Sequence, residues 1–232
     1  MLTPLEIEAL STSLRVAGLS TIASLPFGIA IAWLLARASF PGRGLLNGFI
    51  HLPLVLPPVV VGYVLLLLLG RRGLVGSWLY DAFGVTLVFT WQGAAIASAV
   101  MAFPLMVQAI RLSLESVDHG LEAAARTLGA GPVEVFATVT LPLIAPGILT
   151  GSILAWARSL GEFGATITFV SNIPGETRTL PNAFFALSQA PGNDEAILRL
   201  LVISIVIALA ALLAAEILAR RVRRRIGGTS RA

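Results

Sequence analysis

The sequence predicts an all-α integral membrane protein, on three observations. Apolar residues make up 56% of the 232 residues, and charged residues make up only 12%. The mean hydropathy is +0.90. Because a soluble domain carries about 25% charged residues, this chain lacks the polar residues to cover a globular surface. Five apolar stretches have about the 20 residues that a helix needs to cross a bilayer: near Leu14–Leu35, Ile50–Leu69, Val85–Ile110, Leu141 to at least Trp156, and Ile197–Ala219.

A sixth apolar segment, Leu180–Gln189, is too short to cross, and we predict that it forms a re-entrant or interfacial helix. An arrangement of six spans that counts this segment stays open. It places the C-terminal arginine cluster outside unless the N-terminus also changes side. No connection is long enough for a separate soluble domain. We therefore predict five spans, or six, in a single transmembrane domain over residues 1–232.

The arginines indicate how the spans are oriented. All sixteen basic residues are arginine, and most follow the first, third and fifth spans. The positive-inside rule places these connections in the cytoplasm and the N-terminus outside, although Arg71 and Arg72 on the outer side argue mildly against it. The pI of 10.9 reflects a net charge of +4 on a nearly uncharged chain, so no nucleic-acid partner is expected. The cytoplasmic arginines are Arg37, Arg43, Arg111, Arg126 and those of the cluster 220–225.

Several chemistries are excluded by residues that the chain lacks. It has no cysteine, so it can form neither a disulfide nor a thiolate metal site. It has no lysine, which excludes a Walker A phosphate loop and Schiff-base chemistry. Its two histidines, His51 and His119, are far apart and form no HExxH zinc motif. We therefore expect no metal or cofactor in this chain.

Prolines inside the apolar stretches predict bent helices. Each removes a backbone donor and kinks its helix. Gly147 and Gly151 form a GxxxG pair, which on its own is most simply explained by close helix packing. Several kinked spans together favour a translocation pathway over a passive anchor. The prolines concerned are Pro26, Pro53, Pro57, Pro58, Pro104, Pro142 and Pro146.

A short helix is predicted over residues 119–129, on the arginine-rich side. Asp118 is a good N-cap, and Glu122 lies in the first turns, where a carboxylate favours the helix dipole. Gly129 is a natural stop, and Pro132 suits the first turn of another helix. The helix is about 15 Å long and too polar to span. Its small residues allow a partner to approach closely, but composition leaves a surface helix without a partner equally open.

Residues 118–142 resemble the EAA loop of ABC importer permeases. Small residues precede Gly129, Val139 lies ten residues after it, and the pair Leu141-Pro142 begins two residues after Val139. The match departs at one point, because Ala123 stands at the position of the family's glutamate and Glu122 lies one residue earlier. An offset of one residue rotates the carboxylate about 100° around the helix.

Nearly the whole chain resembles the permease subunits of molybdate importers. The stretches on which this resemblance rests are His51–Tyr63, Ala124–Gly131 and Ser159–Leu180, of which the last is the most specific. Sulfate permeases share its Leu-Gly-Glu-aromatic-Gly core, whereas the run over residues 172–179 is similar to the molybdate group. Sulfate, thiosulfate, tungstate or another tetrahedral oxyanion is the alternative substrate.

This resemblance implies a type I ABC importer permease fold in the bacterial inner membrane, with the chain surrounded by lipid. It implies a homodimer, two copies of a separate ATPase subunit that holds ATP and Mg²⁺, and a periplasmic binding protein that delivers the oxyanion. A gradient-driven transporter would need ion ligands in its spans, for which only Glu162 and Glu216 are candidates. An intramembrane enzyme has no support, since no nucleophile and base are paired.

The resemblance also implies roles for individual residues. Glu162 lies among small and apolar residues, where an ionisable group is costly and usually paired or functional. It is interpreted either as a structural ion pair with Arg158, one helical turn away, or as part of a gate. Because like charges repel, it is a poor ligand for a dianion. The ATPase-docking candidates are Glu122, Ala124, Ala125, Arg126, Leu128 and Gly129; the pathway or gate candidates are Ser159, Gly161, Glu162 and Gly164; and Arg158 and Arg178 are candidates for contact with the anion or the binding protein.

Overall fold

The computed structural model describes residues 3–227, and for residues 215, 216 and 218–227 it describes the backbone alone. Over this range the chain is helical and has no strand, so the all-α prediction is confirmed. In chain order the helices are α1 (Pro4–Arg37), α2 (Arg43–Val55), α3 (Pro58–Leu69), α4 (Leu74–Phe83), α5 (Trp91–Glu115), α6 (His119–Thr127), α7 (Pro132–Val135), a π-helical turn (Phe136–Thr140), α8 (Leu141–Leu160), α9 (Gly164–Val170), α10 (Leu180–Ser188) and α11 (Asp194–Gly227).

Four helices of the described range are long and apolar enough to cross a membrane, and a bent pair, α2 and α3, raises the number to five. The four are α1, α5, the continuous helix Pro132–Leu160 and the first part of α11, Asp194–Ala214. Five spans are therefore obtained when the bent pair counts as one. The helix α10 has nine residues, which is too few to cross a bilayer, so it does not supply a sixth span.

The stretch predicted as the second span, Ile50–Leu69, is not one helix. It breaks between Val55 and Pro58, where the helix direction bends by 114°. Leu56 and Pro57 both have extended backbone angles there. The reason is steric, because a proline pushes the residue before it out of the helical region. The kink expected from the prolines is thus a complete break.

Two helix starts also differ from the prediction. The helix α1 begins at Pro4, ten residues before the predicted span, because Thr3 and Glu6 form a capping box: Thr3 N donates to Glu6 Oε2 at 2.7 Å, and Glu6 N donates to Thr3 Oγ1 at 3.3 Å. The helix α5 begins at Trp91 rather than near Val85, because Thr90 Oγ1 accepts a hydrogen bond from Gly93 N at 3.1 Å.

The helices α1, α5 and α8 pack against one another at the centre of the fold, and small residues bring α5 and α8 close together. A Cβ atom on Gly151 would lie 2.9 Å from the carbonyl oxygen of Met106, and one on Gly147 would lie 2.2 Å from Ser113 Cβ. The GxxxG pair therefore packs α8 against α5, as expected. A similar contact joins α3 to α9, since a Cβ atom on Gly62 would lie 2.5 Å from the carbonyl oxygen of Ala165.

Two ion pairs mark the two ends of the helix bundle. At one end Arg37, the last residue of α1, contacts Glu122 of α6. At the other end Arg199 Nε donates to Glu6 Oε1 at 2.8 Å and joins the beginnings of α11 and α1. The short helix α6 and the N-terminus of α1 therefore lie at opposite ends. With the positive-inside rule, α6 lies on the cytoplasmic side.

Candidate functional site

The short helix α6 is built by specific caps at both ends. Asp118 Oδ1 accepts a hydrogen bond from Gly120 N at 2.8 Å. Gly129 has a φ of +91°, which a glycine adopts without the penalty of a Cβ atom. Its N–H donates to Arg126 O at 3.0 Å, and Ala130 N donates to Ala125 O at 3.2 Å, the two bonds of a Schellman motif. The predicted helix is present and ends at Thr127.

The outer face of α6 is apolar and exposed. Leu121 is 50% exposed and Leu128 is 89% exposed, and Ala124 between them is exposed too. These three positions are spaced so that they share one face of a helix. Val133, at the start of α7, is 82% exposed. Large apolar side chains that crowd together at the aqueous end of a membrane protein are typical of a surface that binds another protein.

Glu122 faces the other way. Its side chain is 11% exposed, and the side chain of Arg37, its ion-pair partner, is 10% exposed. Glu122 Oε1 lies 3.0 Å from Arg37 Nη2 and accepts a hydrogen bond from Thr140 Oγ1 at 2.7 Å. Ala123, which stands at the family's glutamate position, is exposed instead. The offset seen in the sequence thus turns the carboxylate into the protein.

The six predicted docking residues are therefore divided between two sides of α6. A groove of about 890 Å³ lies between α1 and the segment from α6 to the π-helical turn, and Glu122 and Arg126 line it. Arg126 is exposed there, Ala125 is half-buried, and Gly129 is exposed at the end of the helix. Only Ala124 and Leu128 lie on the exposed apolar face.

Two residues of this site were not identified from the sequence as functional. Arg37 was interpreted only as a topology signal, and Thr140 was not singled out at all. Arg37 is 85 residues from Glu122 along the chain, so no local spacing could connect them. The one usable signal was general: a carboxylate that enters a buried position needs a cation or several hydrogen bonds.

The pathway candidates lie at a break between α8 and α9. Glu162 is 2% exposed and caps α9, since its Oε1 accepts a hydrogen bond from Ala165 N at 2.9 Å. Its Oε2 forms an ion pair with Arg158, at 2.7 Å from Nη1. The predicted Arg158–Glu162 pair is thus present. Arg158 is 29% exposed.

Neighbouring residues place this break halfway along α1. The hydroxyl groups of Ser159 and Ser20 are hydrogen-bonded at 2.9 Å, and Ser20 is near the middle of the 34 residues of α1. A Cβ atom on Gly164 would lie 2.7 Å from Pro58 Cβ, whereas the nearest atom to one on Gly161 would be the carbonyl oxygen of Arg158 at 4.0 Å. The structure therefore brings Ser159, Gly161, Glu162 and Gly164 together around the break, where Ser159 and Glu162 are buried, Gly164 is half-buried and Gly161 is exposed.

Arg178 lies apart from this segment, in the loop between α9 and α10. Its Nε donates to Asn172 Oδ1 at 3.3 Å, and the side chain is half-buried. Among the ion pairs of the described residues, none joins Arg178 to Glu176. The two arginines predicted to contact an anion or a binding protein thus belong to different places, the break and the outer loop.

These features define a transport permease, and comparison with known proteins gives its family. The family described as binding-protein-dependent transport system inner membrane component matches residues 24–224. The chain therefore belongs to this family of inner-membrane ABC transporter components, and it is a permease rather than an enzyme.

Individual relatives match over almost the whole chain. The molybdenum transport system permease protein ModB of Escherichia coli (strain K12) is 61% identical over 227 residues, which are 98% of this chain and 99% of that protein. The protein of the same name from Haemophilus influenzae is 55% identical over 223 residues, 96% of this chain and 97% of that protein. A crystal structure of a bacterial ABC transporter involved in alginate import superposes with a TM-score of 0.75 at 20% identity, over 95% of this chain and 80% of that chain. The predicted importer permease fold is confirmed.

Proposed function

We propose that this chain is the membrane-spanning subunit of an ABC importer that carries molybdate across the inner membrane. The choice of molybdate as the substrate rests on the similarity, over nearly the full length, to molybdenum transport permeases at 61% and 55% identity. Tungstate, sulfate and thiosulfate are tetrahedral oxyanions of similar chemistry and are the competing substrates.

The proposed complex contains two copies of this chain, two ATPase subunits and a periplasmic binding protein. The family description, which names binding-protein dependence, supports the last of these. The lack of lysine supports a separate ATPase, since the chain cannot build a Walker A loop. ATP and Mg²⁺ are then bound by the ATPase subunits. Residues 118–142 form the coupling loop within a single membrane domain.

The docking step would use the outer face of α6. Leu121 and Leu128 present apolar side chains, while Ala124 between them lets the partner's backbone come close. Arg126 lies at the edge of the groove on the α1 side and is free to meet an acidic group of the ATPase. In this proposal Ala125 and Gly129 keep the helix narrow, and closure of the ATPase dimer moves α6 as a rigid body.

The route for the anion would pass the break between α8 and α9. Arg158 neutralises Glu162, and this matters because an unpaired carboxylate would repel a dianion. The pair is the charged element of the gate, and Gly161 beside it leaves room for the chain to move. Arg178 would contact the binding protein in the outer loop. We expect no tight substrate site, because slow release would limit flux.

The test is reconstitution of the purified complex in lipid vesicles with radiolabelled molybdate. We expect ATP-dependent, vanadate-sensitive uptake that requires the ATPase and the loaded binding protein, and competition by tungstate exceeding competition by sulfate. Accumulation by the permease alone would overturn the proposal. Uptake of sulfate without uptake of molybdate would establish the alternative substrate.

A further inference from the structure

We infer that Arg37, Glu122 and Thr140 form a joint that positions the coupling helix and passes its movement to α1 and α8. This inference rests on the proposed function and assigns the residues that hold its docking helix. It gives Glu122 a role different from the one that its place in the EAA-like loop implies, since the carboxylate acts inside the permease and not at the surface of the ATPase.

The geometry of the joint is compact. One oxygen, Glu122 Oε1, accepts from both Arg37 Nη2 at 3.0 Å and Thr140 Oγ1 at 2.7 Å. About nine-tenths of each charged side chain is buried. Arg37 Nη1 also lies 2.7 Å from the ring of the exposed His119, so Glu122 is the buried partner of this guanidinium. A carboxylate with two charge-assisted bonds at one oxygen is a strong and directional connection.

The joint unites three structural elements. Arg37 is the last residue of α1, Glu122 lies in α6, and Thr140 is the last residue of the π-helical turn before α8. A π-helical turn inserts an extra residue into a helix and is frequent at functional sites. Here the π-helical turn ends where α8 begins, and α8 leads to the gate candidates. Movement of α6 therefore reaches both transmembrane helices through side chains and not only through the connecting loops.

A contact at the far end of α8 supports the same inference. The hydrogen bond between Ser159 and Ser20 fixes α8 to α1 halfway across. The two helices are thus tied at two levels, one at the cytoplasmic end and one beside the break. A displacement of α6 that pulls on Thr140 then acts on a helix whose other end is held, and the segment with Glu162 lies immediately beyond that second tie.

A merely structural ion pair predicts something different. Removing one member of a buried pair leaves a charge without a partner and destabilises the protein. That effect lowers the amount of folded complex but leaves each assembled complex equally coupled. The distinguishing quantity is therefore the stimulation of ATP hydrolysis by loaded binding protein, measured per assembled complex.

The experiment compares Glu122→Gln, Thr140→Val and the exchanged pair Arg37→Glu with Glu122→Arg in the reconstituted complex. For Glu122→Gln we expect unchanged affinity for the ATPase and about a tenfold loss of binding-protein stimulation, the size of one lost bond to a charged group. Thr140→Val should lose less, because the ion pair remains. The single variant Arg37→Glu is measured as well, and the exchanged pair should recover part of the binding-protein stimulation that this single variant loses.

The matched control is Glu115→Gln. Glu115 forms an exposed ion pair with Arg111 at the same end of the bundle, at 2.7 Å, and contacts no residue of the joint. It should leave stimulation unchanged. The inference is overturned if Glu122→Gln weakens ATPase binding, which would make Glu122 a docking contact, or if assembled Glu122→Gln complexes keep full stimulation. A wild-type complex that fails to transport would instead disprove the proposed function.

Discussion

Ser159 at the end of α8 is hydrogen-bonded to Ser20 in the middle of α1, Oγ to Oγ at 2.9 Å. Both residues are buried. This bond lies beside the break that contains Glu162, and it holds the end of α8 against α1.

Ser159→Ala should weaken this tie slightly. Hydrogen bonds between membrane helices contribute about 0.6 kcal/mol on average, and Ser20 keeps an alternative acceptor in the carbonyl of Ala17 at 3.0 Å. We expect a small fall in the unfolding temperature of the purified complex. Thr150→Ala is the control, since that exposed hydroxyl bonds only within its own helix. Equal effects of the two changes would contradict an inter-helix role.

Glu162→Gln should give an assembled complex with altered transport. The amide oxygen can still accept from Ala165 N, so α9 keeps its cap, while the charge that faces Arg158 is lost. Two unit charges about 4 Å apart near a protein surface attract each other by about 4 kcal/mol, and about 1.4 kcal/mol is enough for a tenfold change in rate. We therefore expect a change in uptake rate of about tenfold or more. The measurement is molybdate uptake per assembled complex.

The companion variant for this position is Glu162→Ala, which removes the cap as well and should reduce the yield of complex. If Glu162→Gln already prevents assembly, the Arg158–Glu162 pair is purely structural and the gate assignment is wrong.

Leu128→Asp should impair ATPase binding. Burying a leucine side chain contributes about 1.5–3 kcal/mol, and Leu128 is 89% exposed before docking. We expect the affinity between solubilised permease and ATPase to fall at least about tenfold in a pull-down titration. Leu128→Met keeps an apolar side chain of similar size and should bind normally. Normal binding by the aspartate variant would remove Leu128 from the docking surface.

Gly129→Ala should destabilise the end of α6. Since a Cβ atom at this position meets no atom within 4 Å, the harm comes from the φ of +91° and not from a clash. The left-handed conformation costs a residue with a side chain about 1–2 kcal/mol. Coupled ATP hydrolysis should fall, with partial recovery in Gly129→Asn. Gly131→Ala is the control, because Gly131 also has open space but a φ of −70°; an equal effect there would exclude backbone strain as the cause.

Single cysteines should report the orientation directly, because the chain has none of its own. A membrane-impermeant maleimide should label Leu128→Cys in inside-out vesicles, and bound ATPase should protect it. Glu176→Cys, in the exposed outer loop, should be labelled in right-side-out vesicles. The reverse pattern would place α6 in the periplasm and refute the coupling proposal.

The helices of the fold could be predicted from the sequence because their signals are local. The lengths of the apolar stretches predicted the four long helices, and Asp118 and Gly129 predicted the caps of α6. The break at Leu56 and Pro57 was predicted only as a kink, since the angle between two helices depends on what they pack against. The early start of α1 was missed because the capping box of Thr3 and Glu6 precedes the apolar stretch.

The candidate site was predictable only in part. The Arg158–Glu162 pair could be predicted because the two residues are four apart in the sequence, the spacing of one helical turn, although α8 ends at Leu160. The partners of Glu122 could not, since Arg37 and Thr140 reach it through tertiary packing and a π-helical turn. Which side of α6 faces the protein also could not be predicted, because an amphipathic helix usually turns its apolar side inward, whereas here Leu121 and Leu128 are exposed and Glu122 is buried.

The backbone contact between Gly62 and Ala165 has a consequence for sequence variation. No side chain fits at position 62 unless α9 moves away from α3, so a substitution there requires an accommodating change on the opposite helix, at position 165 or 168. Residues on these two helices should accordingly vary together among homologues, and a pair that changes in step would be an evolutionary record of this contact.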